Sequence, residues 1–228
     1  MAENREAEFI ARITASATHE LRNVLAIVEE SAGPLDDLIH ASAPGAAPDR
    51  ERLLRATKRI TTQVARGTEL LTRLSGLAHC RDRPQASGDL RYAVDQAVYF
   101  SGPIARRRRQ SVAADTGEEP VCADVDPLRL QMALLGVTEC CVERLPEEAT
   151  LRLRPYRLGA GAGVAVSAEK EGAALATSLR GAAGWERLSE ALEALGAAWD
   201  EDDPGSGTGG ADEAGRIGCL RLGEVHHR

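Results

Sequence analysis

The stretch Thr18-His19-Glu20-Leu21-Arg22-Asn23 brings an imidazole, a carboxylate and a carboxamide close together in sequence. A neutral imidazole near pH 7 is a good nucleophile. A carboxylate beside it can hold or accept the other ring proton, which fixes the tautomer and raises ring basicity. If the stretch is helical, Asn23 stands one turn above His19 on the same face. Such chemistry needs an imidazole that a partner can reach, so the element carrying His19 decides whether the group is usable.

That element reads as a long helix from Glu3 to about Ala41. Ala17, Leu21, Val24, Val28, Ser31, Leu35 and Leu38 recur at alternating steps of four and three, a coiled-coil-like seam. Ile10 and Ile13 lie upstream in the same helix, and Leu25 and Ile39 widen the stripe. His19 falls two residues past the Ala17 seam position, so it points outward. Gly33-Pro34 interrupts the pattern and is expected to kink or split the helix. The segment 41–49 (ASAPGAAPD) reads as a loop, with Pro48-Asp49 opening the next helix. A second seam follows: Leu53, Thr57, Ile60, Val64, Gly67, Leu71, Leu74 and Ala78, with Leu54, Leu70 and Leu77 beside it. Two long helices and a short loop make an antiparallel hairpin. One partner helix cannot cover this much Leu and Val. Two copies closing a four-helix bundle is the simplest solution, and packing against the chain's own second half is the alternative.

Residues 81–88 read as a linker, which divides the chain into a hairpin, 1–80, and an α/β part, 89–228. In the second part a helix is expected from Asp89 to Ser101, then a polar turn with the Arg106–Arg109 run, then a strand at Ser111–Ala113. A helix from Asp126 to about Leu145 follows, stopped by Pro146. Alternation around Leu151 and Leu153 and in Gly163–Ser167 gives adjacent strands. Trp185–Trp199 reads as an amphipathic helix, 204–215 as a loop, and Ile217–Leu222 as a last strand. The order suggests an α/β sandwich with helices on one face.

The composition narrows the function. The chain has 228 residues, 43% hydrophobic and 28% charged, with a net charge of -7. That is enough for one medium domain or two small ones. The acidic balance argues against nucleic acid as the main partner. The five cysteines, Cys80, Cys122, Cys140, Cys141 and Cys219, form no CxxC pair and match no zinc spacing. They read as reduced thiols of a cytoplasmic protein. The charged N-terminus is no signal peptide, and no apolar run nears the ~20 residues that cross a bilayer, so no membrane partner is expected. The Gly205–Gly210 run precedes a strand rather than a helix N-terminus and reads as a hairpin loop, not a phosphate loop. Arg106–Arg109 reads as a solvated turn. His40, His79, His226 and His227 receive no role.

The segment from Thr18 to Asn23 resembles the H-box of sensor histidine kinases, in which a helical His followed by an acidic residue is phosphorylated. The resemblance makes His19 the phosphoacceptor and Glu20 its acid–base neighbour. Glu20-x-x-Asn23 also resembles the family's phosphatase motif, in which Asn23 would orient water against a receiver's aspartyl phosphate. The segment Ala123-Asp124-Val125-Asp126-Pro127-Leu128-Arg129-Leu130-Gln131 is similar to the start of the family's nucleotide-binding helix. Beyond it the chain departs. Gly136 and Cys140 stand where the family has Asn, and Mg²⁺ demands oxygen ligands. No Asp of a D-x-G-x-G loop follows the Gly163–Ser167 strand; the chain reads Ser167-Ala168-Glu169-Lys170-Glu171-Gly172. The segment Leu179–Trp185 keeps two glycines, Gly181 and Gly184, of a Gly-rich loop.

The resemblance therefore implies a degenerate kinase ATPase-like domain behind a dimeric hairpin. The expected function is histidine phosphotransfer between receiver-domain aspartates of a phosphorelay, without ATP. The expected partners are a second copy and response-regulator receivers. No cofactor of its own is expected, and any Mg²⁺ belongs to the partner receiver. Two alternatives stand beside it: a divergent ATP-dependent sensor histidine kinase, and a non-catalytic dimeric scaffold or kinase inhibitor.

Overall fold

The computed structural model describes residues 2–41, 49–80, 87–158, 161–201 and 216–222. The chain divides into two compact units, Ala7–His79 and Met1–Glu6 with Cys80–Arg228. Most of the 41–49 loop, most of the 81–88 linker, the 204–215 loop, the His40 side chain and both C-terminal histidines lie outside the described residues.

The first unit is a helical hairpin of α1 (Ala2–Ala41) and α2 (Arg50–His79). Along α1, Phe9, Ile13, Ala17, Val24 and Ser31 are buried, and Leu21, Val28 and Leu35 are half-buried. The Ser31 hydroxyl is satisfied inside the helix, donating to the Ile27 carbonyl at 2.6 Å. Gly33-Pro34 does not split the helix: α1 runs through Pro34. Pro34 is exposed, so the carbonyl it leaves without an amide partner can be hydrated, and the cost stays low. Helix α2 opens on Asp49, whose Oδ1 accepts from the amides of Glu51 and Arg52 at 3.0 and 3.2 Å.

The seam expected on α2 splits in two. Leu53, Ile60, Gly67 and Leu74 turn inward with Leu70 and Leu77, whereas Thr57, Val64, Leu71 and Ala78 are exposed. Leu25 and Leu54, expected to widen the apolar stripes, are exposed as well. A step of alternating four and three residues marks the midline of a bundle helix. Its two half-seams face different neighbours, and the hairpin supplies only one.

In the second unit, β1 (Ser87–Asp89) pairs antiparallel with β3 (Cys122–Asp124). Helix α3 (Leu90–Arg107) is capped by Asp89, and α4 (Pro127–Arg144) by Asp126, with Pro127 in its first turn. The main sheet has the order β2-β4-β5-β8-β7, with β6 added on β5. Its strands are β2 (Ser111–Ala114), β4 (Thr150–Leu158), β5 (Gly161–Lys170), β6 (Ala173–Leu175), β7 (Ala198–Asp200) and β8 (Arg216–Leu222). The β2–β4 pair is parallel; the others are antiparallel. Leu151, Leu153, Val164, Val166 and Leu220 share one face and are buried, while Arg152 and Arg154 stand exposed on the other. Helix α5 (Trp185–Leu195) packs on α4, and α3 and α4 both contact β4.

Several boundaries differ from expectation. Helix α3 continues through Pro103 to Arg107, so Arg106 and Arg107 form its last turn instead of a free polar turn. Cations there complement the helix dipole. Helix α5 stops at Gly196, whose φ of 70° is the left-handed cap that favours glycine. Trp199 therefore lies in β7. The last residues of the expected linker form β1.

Candidate functional site

His19 sits on α1 with its side chain exposed. Asn23, one turn on, places Nδ2 at 3.4 Å from His19 Nδ1. Amide N and O are interchangeable in shape, so Asn23 can offer Oδ1 to an Nδ1–H as well as N–H to a lone pair. As placed, Nδ2–H donates to Nδ1; with the carboxamide turned over so that Oδ1 accepts Nδ1–H, the lone pair lies on Nε2, on the far side of the ring from Asn23. Sequence spacing had put these two residues on one face, and the geometry brings them together.

Glu20 faces another way. Its carboxylate reaches across the hairpin to the Arg66 guanidinium on α2. Glu20 is 20% exposed and Arg66 42%, so the carboxylate is set into the groove between the helices and the guanidinium lies at its rim. Beside the pair, a Cβ on Gly67 would lie 3.3 Å from Val24 Cγ1 and 3.6 Å from Leu21 Cδ1, so the two helices pack tightly there. A second cross-helix pair, Arg59–Glu30 at 3.1 Å, keeps the same antiparallel register. Sequence reasoning missed Arg66. Its place opposite Glu20 depends on the register of the hairpin, and no local pattern encodes that.

The face of α4 carrying Gly136 and Cys140 is covered by α5. A Cβ on Gly136 would come within 3.2 Å of Leu188 Cδ1, and one on Gly184 within 3.1 Å of Cys140 Sγ. Leu188 and Cys140 are fully buried. One turn beyond Cys140, Glu143 accepts the Ala183 amide through Oε1 at 2.9 Å and Oε2 at 3.1 Å. The carboxylate thus holds the amide two residues before α5 begins. Burial, reinforced by Glu143 and Glu139, pushes the Cys140 thiol up to about 11. Burial pushes Cys141 higher still.

The Ser167–Gly172 stretch is strand and turn. Lys170 pairs with Ala173, leaving Glu171-Gly172 as a two-residue hairpin loop with φ of 52° and 79°. Two positive φ values in succession are the signature of a type I′ turn. The residues present do not fit a Mg·ATP group. At the family's Asn positions stand a glycine and a protonated thiol, neither able to offer Mg²⁺ a side-chain oxygen. The Ala183 amide, just before α5, is held by Glu143. Among the described residues no group of His, Cys, Asp and Glu is arranged to hold a metal, and no helix is long and apolar enough to cross a membrane.

No family model and no curated protein matches the chain. Solved structures similar to it include the Acinetobacter baumannii histidine kinase AdeS, at 15% identity and a TM-score of 0.43, covering 92% of this chain and 98% of that one. A histidine kinase from Burkholderia phymatum is 17% identical with a TM-score of 0.41, covering 94% and 96%. A bacterial phosphotransferase is 10% identical with a TM-score of 0.49, also covering 94% and 96%. Likeness at this level carries no substrate or partner across to this chain.

Proposed function

We propose that the chain is a homodimeric histidine phosphotransfer protein that moves a phosphoryl group between receiver-domain aspartates and uses no ATP. The observation that carries this reading is the His19–Asn23 pair on an exposed helix face. Nδ1 is covered at 3.4 Å, and the opposite ring nitrogen is left to meet a partner. In the loading step, the Nε2 lone pair forms an N–P bond while the P–O bond to the receiver aspartate breaks. The carboxylate leaves with the electron pair, and the Nδ1 proton of the phosphorylated ring passes to water. Unloading onto a second aspartate is the reverse. Asn23 is read as the group that orients the ring and, in a phosphatase role, a water, and Glu20, whose carboxylate meets Arg66 across the hairpin, as an acid–base neighbour that must swing from that pair to serve the ring.

The second copy is supported by the half-seam that α1 leaves uncovered. Leu54, Val64 and Leu71 on α2 are 60, 53 and 52% exposed, and Leu25 on α1 is 58% exposed. A second hairpin laid against this stripe completes a four-helix bundle and leaves His19 outside. The absence of ATP chemistry is supported by the seating of α5 on Gly136 and Cys140 and by the Glu143–Ala183 contact. The reading is tested by incubating the full chain with phosphorylated receiver proteins and following acid-labile label onto it. Label on the chain without added ATP supports phosphotransfer. Label only from ATP supports the divergent kinase. No label from either, with receiver binding retained, supports the scaffold.

A further inference from the structure

Met1–Glu6 belongs to the same compact unit as Cys80–Arg228, and two of its side chains are bonded there. Arg5 donates from Nη2 to Glu190 Oε1 on α5 at 2.8 Å. Glu6 accepts from Arg129 Nε at 3.1 Å through Oε1. Arg129 lies in the first turn of α4, with Asp126, the cap of that helix, 3.7 Å away. Its Nη1 reaches α5 and donates to the Ala194 carbonyl at 3.0 Å.

The last carbonyls of a helix lack intrahelical donors and carry the negative end of its dipole. At the end of α5 the amides of Gly196 and Ala197 close on Glu193 and Leu192, and the Ala194 carbonyl is left to Arg129. Helix α5 has no basic residue in its own last turn, so the cation comes from α4. A guanidinium bonded through Nε on one side and Nη1 on the other is fixed in its plane. Glu6 supplies the first of these bonds and is the better covered partner, 14% exposed against 35% for Arg129. The Arg5–Glu190 pair is more open, 37% exposed at both ends, and such a pair contributes little.

We propose that Glu6, with Arg5 beside it, is a clasp that sets how often α5 leaves α4: it holds Arg129 on the Ala194 carbonyl, and its release frees the end of α5 and uncovers the Gly136–Cys140 face. The inference does not depend on phosphotransfer. It is tested by amide hydrogen exchange of the full chain, comparing α5 with β5 in the wild type, E6Q, R129Q, E6Q/R129Q and R5A. Alkylation of Cys140 gives a second reading, with Cys219, buried in β8, reporting global opening.

Glu6→Gln is expected to speed exchange in α5 about tenfold, the loss of one charge-assisted hydrogen bond, and to leave β5 unchanged. Cys140 should react faster in step, and Cys219 should not. Glu6 acts through Arg129, so E6Q/R129Q should exchange no faster than R129Q alone. Salt should speed α5 exchange in the wild type and not in E6Q, and R5A should change it by less than about threefold. Wild-type exchange of α5 in E6Q would overturn the inference. So would equal acceleration in α5 and β5, which marks a general loss of stability, or additive effects of E6Q and R129Q.

Discussion

The Glu143 carboxylate and the Ala183 amide face each other at 2.9 and 3.1 Å, one from α4 and one from the turn that opens α5. The chain thereby supplies its own anion at a helix start, beside a buried thiol and a glycine that the neighbouring helix covers. Each of these features is ordinary packing. Together they fill the α4–α5 contact with the chain's own groups.

Nucleotide should therefore not stabilise the protein. Binding to the native state raises apparent stability by linkage, about 2.7 kcal/mol at a hundredfold excess over Kd. Thermal unfolding with millimolar Mg·ATP should coincide with unfolding in buffer. A clear upward shift would promote the ATP-dependent reading.

The exposed half-seam predicts the oligomer. Val64→Glu or Leu71→Glu places a charge where the second hairpin packs, and burying an unpaired charge costs several kcal/mol. Light scattering should show the wild type as a dimer at micromolar concentration and the variants as monomers or unfolded chains. If these were plain surface positions, either change would stay within about 0.5 kcal/mol, and the wild type would run as a stable monomer.

Asp89 links stability to pH. Arg91 donates to it from Nε at 2.8 Å, and its backbone amide caps the same carboxylate at 3.0 Å. These bonds hold the Asp89 carboxyl below its ordinary value. A carboxyl whose folded pKa is depressed contributes stability above its unfolded pKa, and the contribution is lost as pH falls through the folded value. Asp89→Ala should cost about 1 kcal/mol near neutrality, the usual worth of an N-cap. The gap from wild type, read from urea unfolding, should narrow as pH drops below about 4. A gap constant with pH would assign the effect to packing instead.

The thiols should separate by burial. Cys122 is exposed, Cys80 is half-buried, and Cys140, Cys141 and Cys219 are buried. Reaction requires the thiolate, and burial raises the pKa of Cys80, Cys140 and Cys141. A thiol reagent at neutral pH should modify Cys122 first and Cys80 slowly, leaving the other three until denaturant is added. Rapid modification of Cys140 in the native protein would mean that α5 leaves α4 readily.

Much of this was legible wherever a local signal had one meaning. The helix expected from Asp126 is α4, which Asp126 caps and Pro127 opens. The His19 face follows from the α1 seam, whose Ala17, Val24 and Ser31 are buried. Other signals carried two meanings. The α2 seam mixed residues that face α1 with residues that face away, because heptad spacing marks the midline between two neighbours without apportioning them. Trp199 continued an amphipathic pattern, but Gly196 ended the helix. Strands β1 and β3 hold three residues each, too few for alternation to register. Arg66 could be found only from the hairpin register.

The central claim is that His19 carries phosphate, and the direct measurement is label transfer from a phosphorylated receiver to the wild type and to His19→Gln. The wild type should acquire acid-labile phosphate without ATP. His19→Gln should acquire none, while keeping wild-type helicity and dimer mass, because an exposed side chain contributes little stability, typically within about 0.5 kcal/mol. Undiminished label on His19→Gln would contradict the account and move the search to His40 or His79.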